Sequence, residues 1–180
     1  MNELKVLSYD LRKHVVDMII AGKGGHIGGD MSVMEILVEL YMKQMNISPE
    51  NKDSDNRDRF VLSKGHSVES YYAVLAKKGF FPMEEVISTF SQFGSKFIGH
   101  PNNKLPGIEM NSGSLGHGLP VCVGMAMAGK MDRKDYRVYV VVGDGELAEG
   151  SVWEGAMAAS HYCLDNLCAV VDRNRLQISG

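Results

Sequence analysis

The first apolar positions fall at Leu4, Leu7, Leu11, Val15 and Met18, intervals of three and four that line one face of a helix. That face ends at Gly22, and a loop follows that holds Gly24, Gly25, Gly28 and Gly29. Ser32 with Glu35 three residues later has the form of a capping box, so a second helix is expected to open there and carry Met34, Leu37, Val38 and Tyr41. The polar stretch 51–59 reads as a solvated connection into a short buried strand at 60–62. Helical spacing returns over 68–78 and 83–93, broken by Gly79 and Pro82. Residues 94–115 show no period and contain Pro101 and Pro106; irregular loops of this length are usually functional or disordered. An apolar helix with small residues is expected at 120–130.

The last third carries the clearest pattern. A continuous β-branched run at 138–142 predicts a strand buried on both faces. Residues 152–162 are expected to form a helix, and 167–171 a second buried strand. Strand, helix and strand in this order make a βαβ unit, hence a parallel sheet with helices on its faces. The expected fold class is α/β, a three-layer αβα domain over residues 1–180.

Composition narrows the function classes. Nineteen Lys and Arg stand against 22 Asp and Glu, a formal charge of −3, which offers no electrostatic footing for nucleic acid or an anionic membrane. No apolar run approaches the ~18 residues of a membrane span. Cys122, Cys163 and Cys168 all lie in apolar stretches without metal-ligand spacing. Three thiols of buried type argue for a reducing compartment, and the cytoplasm is the expected location.

The strand at 138–142 runs into Gly143-Asp144-Gly145-Glu146-Leu147-Ala148, which fits the loose dinucleotide fingerprint G-x-G-x-x-A. A carboxylate between the glycines opposes that reading, because it would repel a bare pyrophosphate. A divalent cation reverses the sign, since Mg²⁺ is commonly shared by carboxylates and phosphate oxygens. Another oxygen ligand is offered by Asn174, at 174 − 144 = 30 residues after Asp144. Both fall at the carboxyl ends of two parallel strands, where open α/β sheets bind ligands. A metal-bridged diphosphate is the better account; a Rossmann-type dinucleotide site is the alternative.

A GDG turn followed by Asn at this spacing resembles the thiamine diphosphate motif of the transketolase family. The resemblance extends to Glu149-Gly150, to Glu154-Gly155-Ala156, to the ending Gln177-Ile178-Ser179-Gly180, and to Ser112-Gly113-Ser114-Leu115-Gly116-His117-Gly118, where Ser114 and His117 depart from the family's usual proline and glutamine. It implies that Asp144, the Asn174 side chain and the main-chain oxygen of Leu176 hold Mg²⁺, or Ca²⁺ or Mn²⁺. It further implies that thiamine diphosphate is bound by His66, Gly113, Ser114, Leu115, Gly143, Gly145, Glu149 and Asn174. Glu149 and Glu154 resemble carboxylates of the subunit interface.

Three histidines sit in glycine-containing loops that resemble family segments in order: Gly25-His26-Ile27-Gly28, with Ile27 in place of proline, then Ser63-Lys64-Gly65-His66, then Gly99-His100-Pro101. The resemblance implies catalytic roles for His26, His66 and His100: the first and last on the sugar, His66 by the diphosphate and the donor oxygen. Near-neutral imidazole suits the proton transfers of ketose chemistry. His14 and His161, on expected helices, read as structural or exposed.

The implied reaction moves a two-carbon ketol unit from a ketose or ketose phosphate to an aldose. It also implies a partner, a C-terminal transketolase subunit with the pyrimidine-binding domain, in a homodimer or heterotetramer. The chain is expected to be the front of a split or truncated form, its domain incomplete at the C-terminal end and inactive alone. Another thiamine diphosphate enzyme (deoxyxylulose-phosphate synthase or the α subunit of a 2-oxo acid dehydrogenase) and a non-catalytic fragment of the same fold stay open.

Overall fold

Three parallel strands form the centre of the computed structural model, which describes residues 3–176: β1 (Arg59–Leu62), β2 (Val138–Gly143) and β3 (Leu167–Asp172), side by side in that order. Alternation along the strands divides the core in two. Phe60, Leu62, Tyr139 and Val141 face α1 (Glu3–Gly22), α2 (Ile27–Glu39), α3 (Val68–Lys78) and α4 (Met83–Thr89). Val61, Val138, Val140 and Val142 face α5 (Gly118–Met131) and α6 (Gly150–His161). The result is the expected αβα sandwich. On the first face Tyr41, Phe60 and Tyr71 pack with ring centroids 5.1–5.8 Å apart. Their buried hydroxyls are satisfied in series: Tyr41 donates to Tyr71 at 3.0 Å, and Tyr71 donates to the Gly107 carbonyl at 2.8 Å.

Register places the site. Gly143 pairs with Asp172, and the Asp144 N–H continues the ladder to the Asp172 carbonyl at 3.2 Å. The two strands therefore end flush, with the turns after them side by side. Strand β1 ends two residues earlier, Leu62 opposite Val141, and delivers the segment 63–67 to the same edge.

Several expectations need correction. Helix α2 opens at Ile27, not at Ser32, and continues into a single π turn, Leu40–Gln44. Ser32 and Glu35 form no capping box, because each has a stronger distant partner. The Ser32 hydroxyl donates to Asp172, 2.5 Å away, and Glu35 is paired with Arg12. Helix α4 stops at Thr89 rather than 93: Phe90 closes it, and Ser91 turns to a φ of +57°. Strand β3 is not buried as expected. With β2 on one side only, it leaves Cys168, Ala169 and Val171 exposed, and Trp153 and Met157 of α6 are exposed as well. Of the three free cysteines only Cys122 is buried; Cys163 lies in the exposed turn after α6. The segment 177–180 lies outside the described residues. No helix among the described residues is long and apolar enough to cross a membrane.

Candidate functional site

The turn after β2 and the end of β3 are locked to each other. The Asp144 carboxylate accepts the Gly145 N–H at 3.1 Å on one oxygen and the Arg175 N–H at 2.8 Å on the other. Asn174 Oδ1 accepts the Leu176 N–H at 2.9 Å, and Arg175 between them adopts a φ of +63°, a left-handed conformation rare for a side-chain-bearing residue. Asp144, Asn174 and the Leu176 backbone thus lie on two adjoining turns. A carboxylate, an amide oxygen and a peptide carbonyl are hard oxygen donors of the kind Mg²⁺ and Ca²⁺ take, so the donor set fits a divalent cation.

Glu146, which sequence reasoning passed over, ties this turn to two further loops. It is 2% exposed. One carboxylate oxygen accepts from the Ser63 hydroxyl and from the Gly116 N–H at 2.8 Å; the other accepts the Gly143 N–H at 3.0 Å. Ser63 in turn accepts the Gly118 N–H at 3.1 Å, at the start of α5. The glycine loop 112–118 is thereby fastened over the ends of β1 and β2. Its glycines are required by contact: Gly116 has a φ of +85°, and a Cβ there would sit 2.7 Å from that of Glu149. Gly113, at φ +137°, would place one 2.5 Å from the His100 ring.

A second buried anchor joins the other side. Lys64, 1% exposed, donates to Asp172 at 2.5 Å and to the Gly29 carbonyl at 3.3 Å. Each half follows an apolar strand run, which is the signal that could have found it: a charge flush with a buried strand end must be paired.

The three loop histidines come together from three separate segments. The His26 ring lies 5.3 Å from that of His66 and 6.4 Å from that of His100, between centroids. His26 precedes α2, His66 rides the 3₁₀ turn Gly65–Ser67 after β1, and His100 ends the stretch whose carbonyls at Ile98 and His100 lie 3.1 Å from the Tyr72 hydroxyl. Burial, reinforced by the Lys64 charge, pushes the His66 imidazole down to about 4. Burial also lowers His100, followed by the field of His26. Gly29 links cluster and strand ends, its Cβ position 3.4 Å from Lys64 Nζ and 3.5 Å from the His66 ring.

Among the other expected residues, Gly143 and Gly145 flank Asp144, and Ser114 and Leu115 are exposed at the tip of the glycine loop. Glu149 caps α6 without a capping side-chain bond and, like Glu154, is exposed. His14 lies on α1, and His161 ends α6 against Tyr162.

The family model described as transketolase, thiamine diphosphate binding domain, matches residues 5–180. An apulose-4-phosphate transketolase subunit from Phocaeicola vulgatus is 53% identical over 177 residues, 98% of this chain and 63% of that protein. The 6-deoxy-6-sulfo-D-fructose transketolase subunit SqwG of a Clostridium species is 45% identical over 157 residues, 87% of this chain and 57% of that one. The crystal structure of transketolase from Campylobacter jejuni superposes on the whole chain with a TM-score of 0.93 and 32% identity, using 29% of its own length. The chain spans less than two thirds of each relative. With the strand ends, the glycine loop and the histidines arranged as described, these matches place the chain in the transketolase family, as its thiamine diphosphate-binding domain.

Proposed function

We propose that the chain is the thiamine diphosphate- and metal-binding half of a split transketolase, moving a two-carbon ketol unit from a ketose phosphate to an aldose phosphate. The observation that carries this reading is the convergence on one sheet edge of an all-oxygen donor set and three histidines in ring contact. Asp144, Asn174 and the Leu176 carbonyl hold the cation, Mg²⁺ in the first instance. Gly143, Gly145, Glu149 and the loop residues Gly113, Ser114 and Leu115 bind the cofactor. When bound, thiamine diphosphate supplies the carbanion chemistry. His66, neutral near pH 7 because burial disfavours its charge, bonds the diphosphate end and the donor oxygen without adding a cation. His26 and His100 bind the sugar hydroxyls and move their protons.

Two relatives carry apulose-4-phosphate and 6-deoxy-6-sulfo-D-fructose in their names, which supports an anionic ketose as the donor class. Both are also named as subunits, which supports a partner chain; in this reading that chain bears the pyrimidine-binding domain, in a homodimer or heterotetramer.

The test mixes the chain with a C-terminal transketolase half and follows ketol transfer and cofactor binding. Activity is expected in the mixture alone. Asp144→Asn should weaken magnesium-dependent thiamine diphosphate binding about 10- to 150-fold by calorimetry, the loss of a charge-assisted contact worth roughly 1.5–3 kcal/mol. Unchanged affinity, or turnover by the isolated chain, refutes the proposal.

A further inference from the structure

Beneath the loop that carries His26, two carboxyl groups meet with no cation between them. Asp30, in the first turn of α2, and Glu69, in the first turn of α3, are 0% and 1% exposed. One Asp30 oxygen accepts the Ser70 N–H at 2.8 Å, and the Ser70 hydroxyl donates to the Asp30 carbonyl at 2.9 Å, so the two helix starts are stitched together. The other Asp30 oxygen and both Glu69 carboxylate oxygens meet no donor. The Glu69 carboxylate lies directly under the loop, where a Cβ on Gly25 would overlap Oε1. Ile19 of α1 packs against the same Gly25 position and brings no charge. The titratable groups nearby are His26, Tyr72 on α3 and, beyond Gly29, His66 and Lys64; Lys64 is already held by Asp172.

Two ionised carboxylates cannot persist in such a place without compensation. A single proton pairs the free Asp30 oxygen with one Glu69 oxygen, Asp30 donating to Glu69, and leaves one negative charge in place of two. We propose that Asp30 and Glu69 share one proton and act as a positioning pair for His26. Burial first, and the Glu69 charge second, push the Asp30 carboxyl up to about 8, and burial raises Glu69 as well. His26 opens α2 with no side-chain capping bond and no proline after it, so the acid pair supports the loop from behind. The charge left on Glu69 faces the His26 segment and favours a donor there. The catalytic consequence rests on the reading of His26 as a sugar contact; the shared proton does not.

The sign is fixed by linkage. Asp30 holds its proton more tightly folded than unfolded, so its stabilisation is complete below the ordinary value of 3.8 and is lost as pH rises through about 8. The Tm of the chain should therefore fall on the alkaline side. Asp30→Asn offers Glu69 an N–H in place of the O–H, and should keep the neutral-pH Tm while flattening that fall; Asp30→Ala should lower Tm throughout. Infrared spectra should show a protonated-carboxyl C=O band that shifts in D₂O and disappears in Asp30→Asn. An undiminished alkaline fall in Asp30→Asn, or no such band, overturns the shared proton. Positioning is read separately. Glu69→Gln should move the His26 imidazole resonance in the NMR spectrum. With fructose 6-phosphate as donor in the assembled enzyme, it should raise KM several-fold and leave magnesium–thiamine diphosphate affinity unchanged. An unmoved His26 resonance overturns the positioning role, whatever His26 binds. An unchanged KM in His26→Ala instead refutes the sugar-contact reading and leaves the pair to be judged on Tm, infrared and resonance.

Discussion

Replacing Glu146 with glutamine keeps the side chain's shape and spoils one of the three hydrogen bonds it accepts. With its remaining oxygen turned to Ser63 and the Gly116 N–H, the new amide nitrogen points its hydrogens at the Gly143 N–H, now 3.0 Å from a donor instead of an acceptor. A buried donor left without a partner costs about 1–3 kcal/mol, and the two surviving bonds each lose about 1 kcal/mol as they change from charged to neutral. Relief from burying a charge offsets part of this, leaving a net loss of about 2–4 kcal/mol. For a chain of this size that is a fall in Tm of roughly 4–16 °C. Because Ser63 relays the same network to Gly118, Ser63→Ala should couple to Glu146→Gln by about 0.5–3 kcal/mol in a double-mutant cycle, measured by denaturant unfolding. Stability of Glu146→Gln within about 0.5 kcal/mol of wild type, or strict additivity with Ser63→Ala, refutes the hub.

Lys64→Ala strands Asp172 in the core with Ser32 as its remaining side-chain donor and should cost about 3–5 kcal/mol in denaturant unfolding; a loss under about 1 kcal/mol would show the pair to be dispensable. The His66 imidazole should titrate near pH 4 by NMR. Its depressed value contributes stability that is present above the ordinary 6.5 and is lost as pH falls through about 4, and a midpoint near 6.5 refutes its burial. His26→Ala and His100→Ala should lower kcat/KM by more than they weaken thiamine diphosphate binding in the assembled enzyme, while His66→Ala impairs both. Equal small effects from all three, matching those of His14→Ala, would return them to the status of surface histidines.

The sequence alone determined what depends on neighbours along the chain. Side-chain periodicity follows backbone geometry, so α1, α3, α6 and the three strands were legible to within a few residues. The Asp144–Asn174 spacing was legible too, because a βαβ unit sets how far apart two adjacent strand ends fall in sequence. Local rules misled where a distant partner displaced a local one. Ser32 and Glu35 look like a cap until Asp172 and Arg12 claim them, and the apolar run of β3 does not reveal that one side of that strand is uncovered. The histidine loops were recognisable one by one, but their meeting within 6.4 Å is a product of packing. The same holds for the groups that hold the edge together. Glu146, Lys64 with Asp172, and Asp30 with Glu69 were left to the tertiary structure, because an acidic or basic residue looks the same in sequence whether it faces water or the core. Only the fold settles that, by removing water and deciding which donors, if any, take its place.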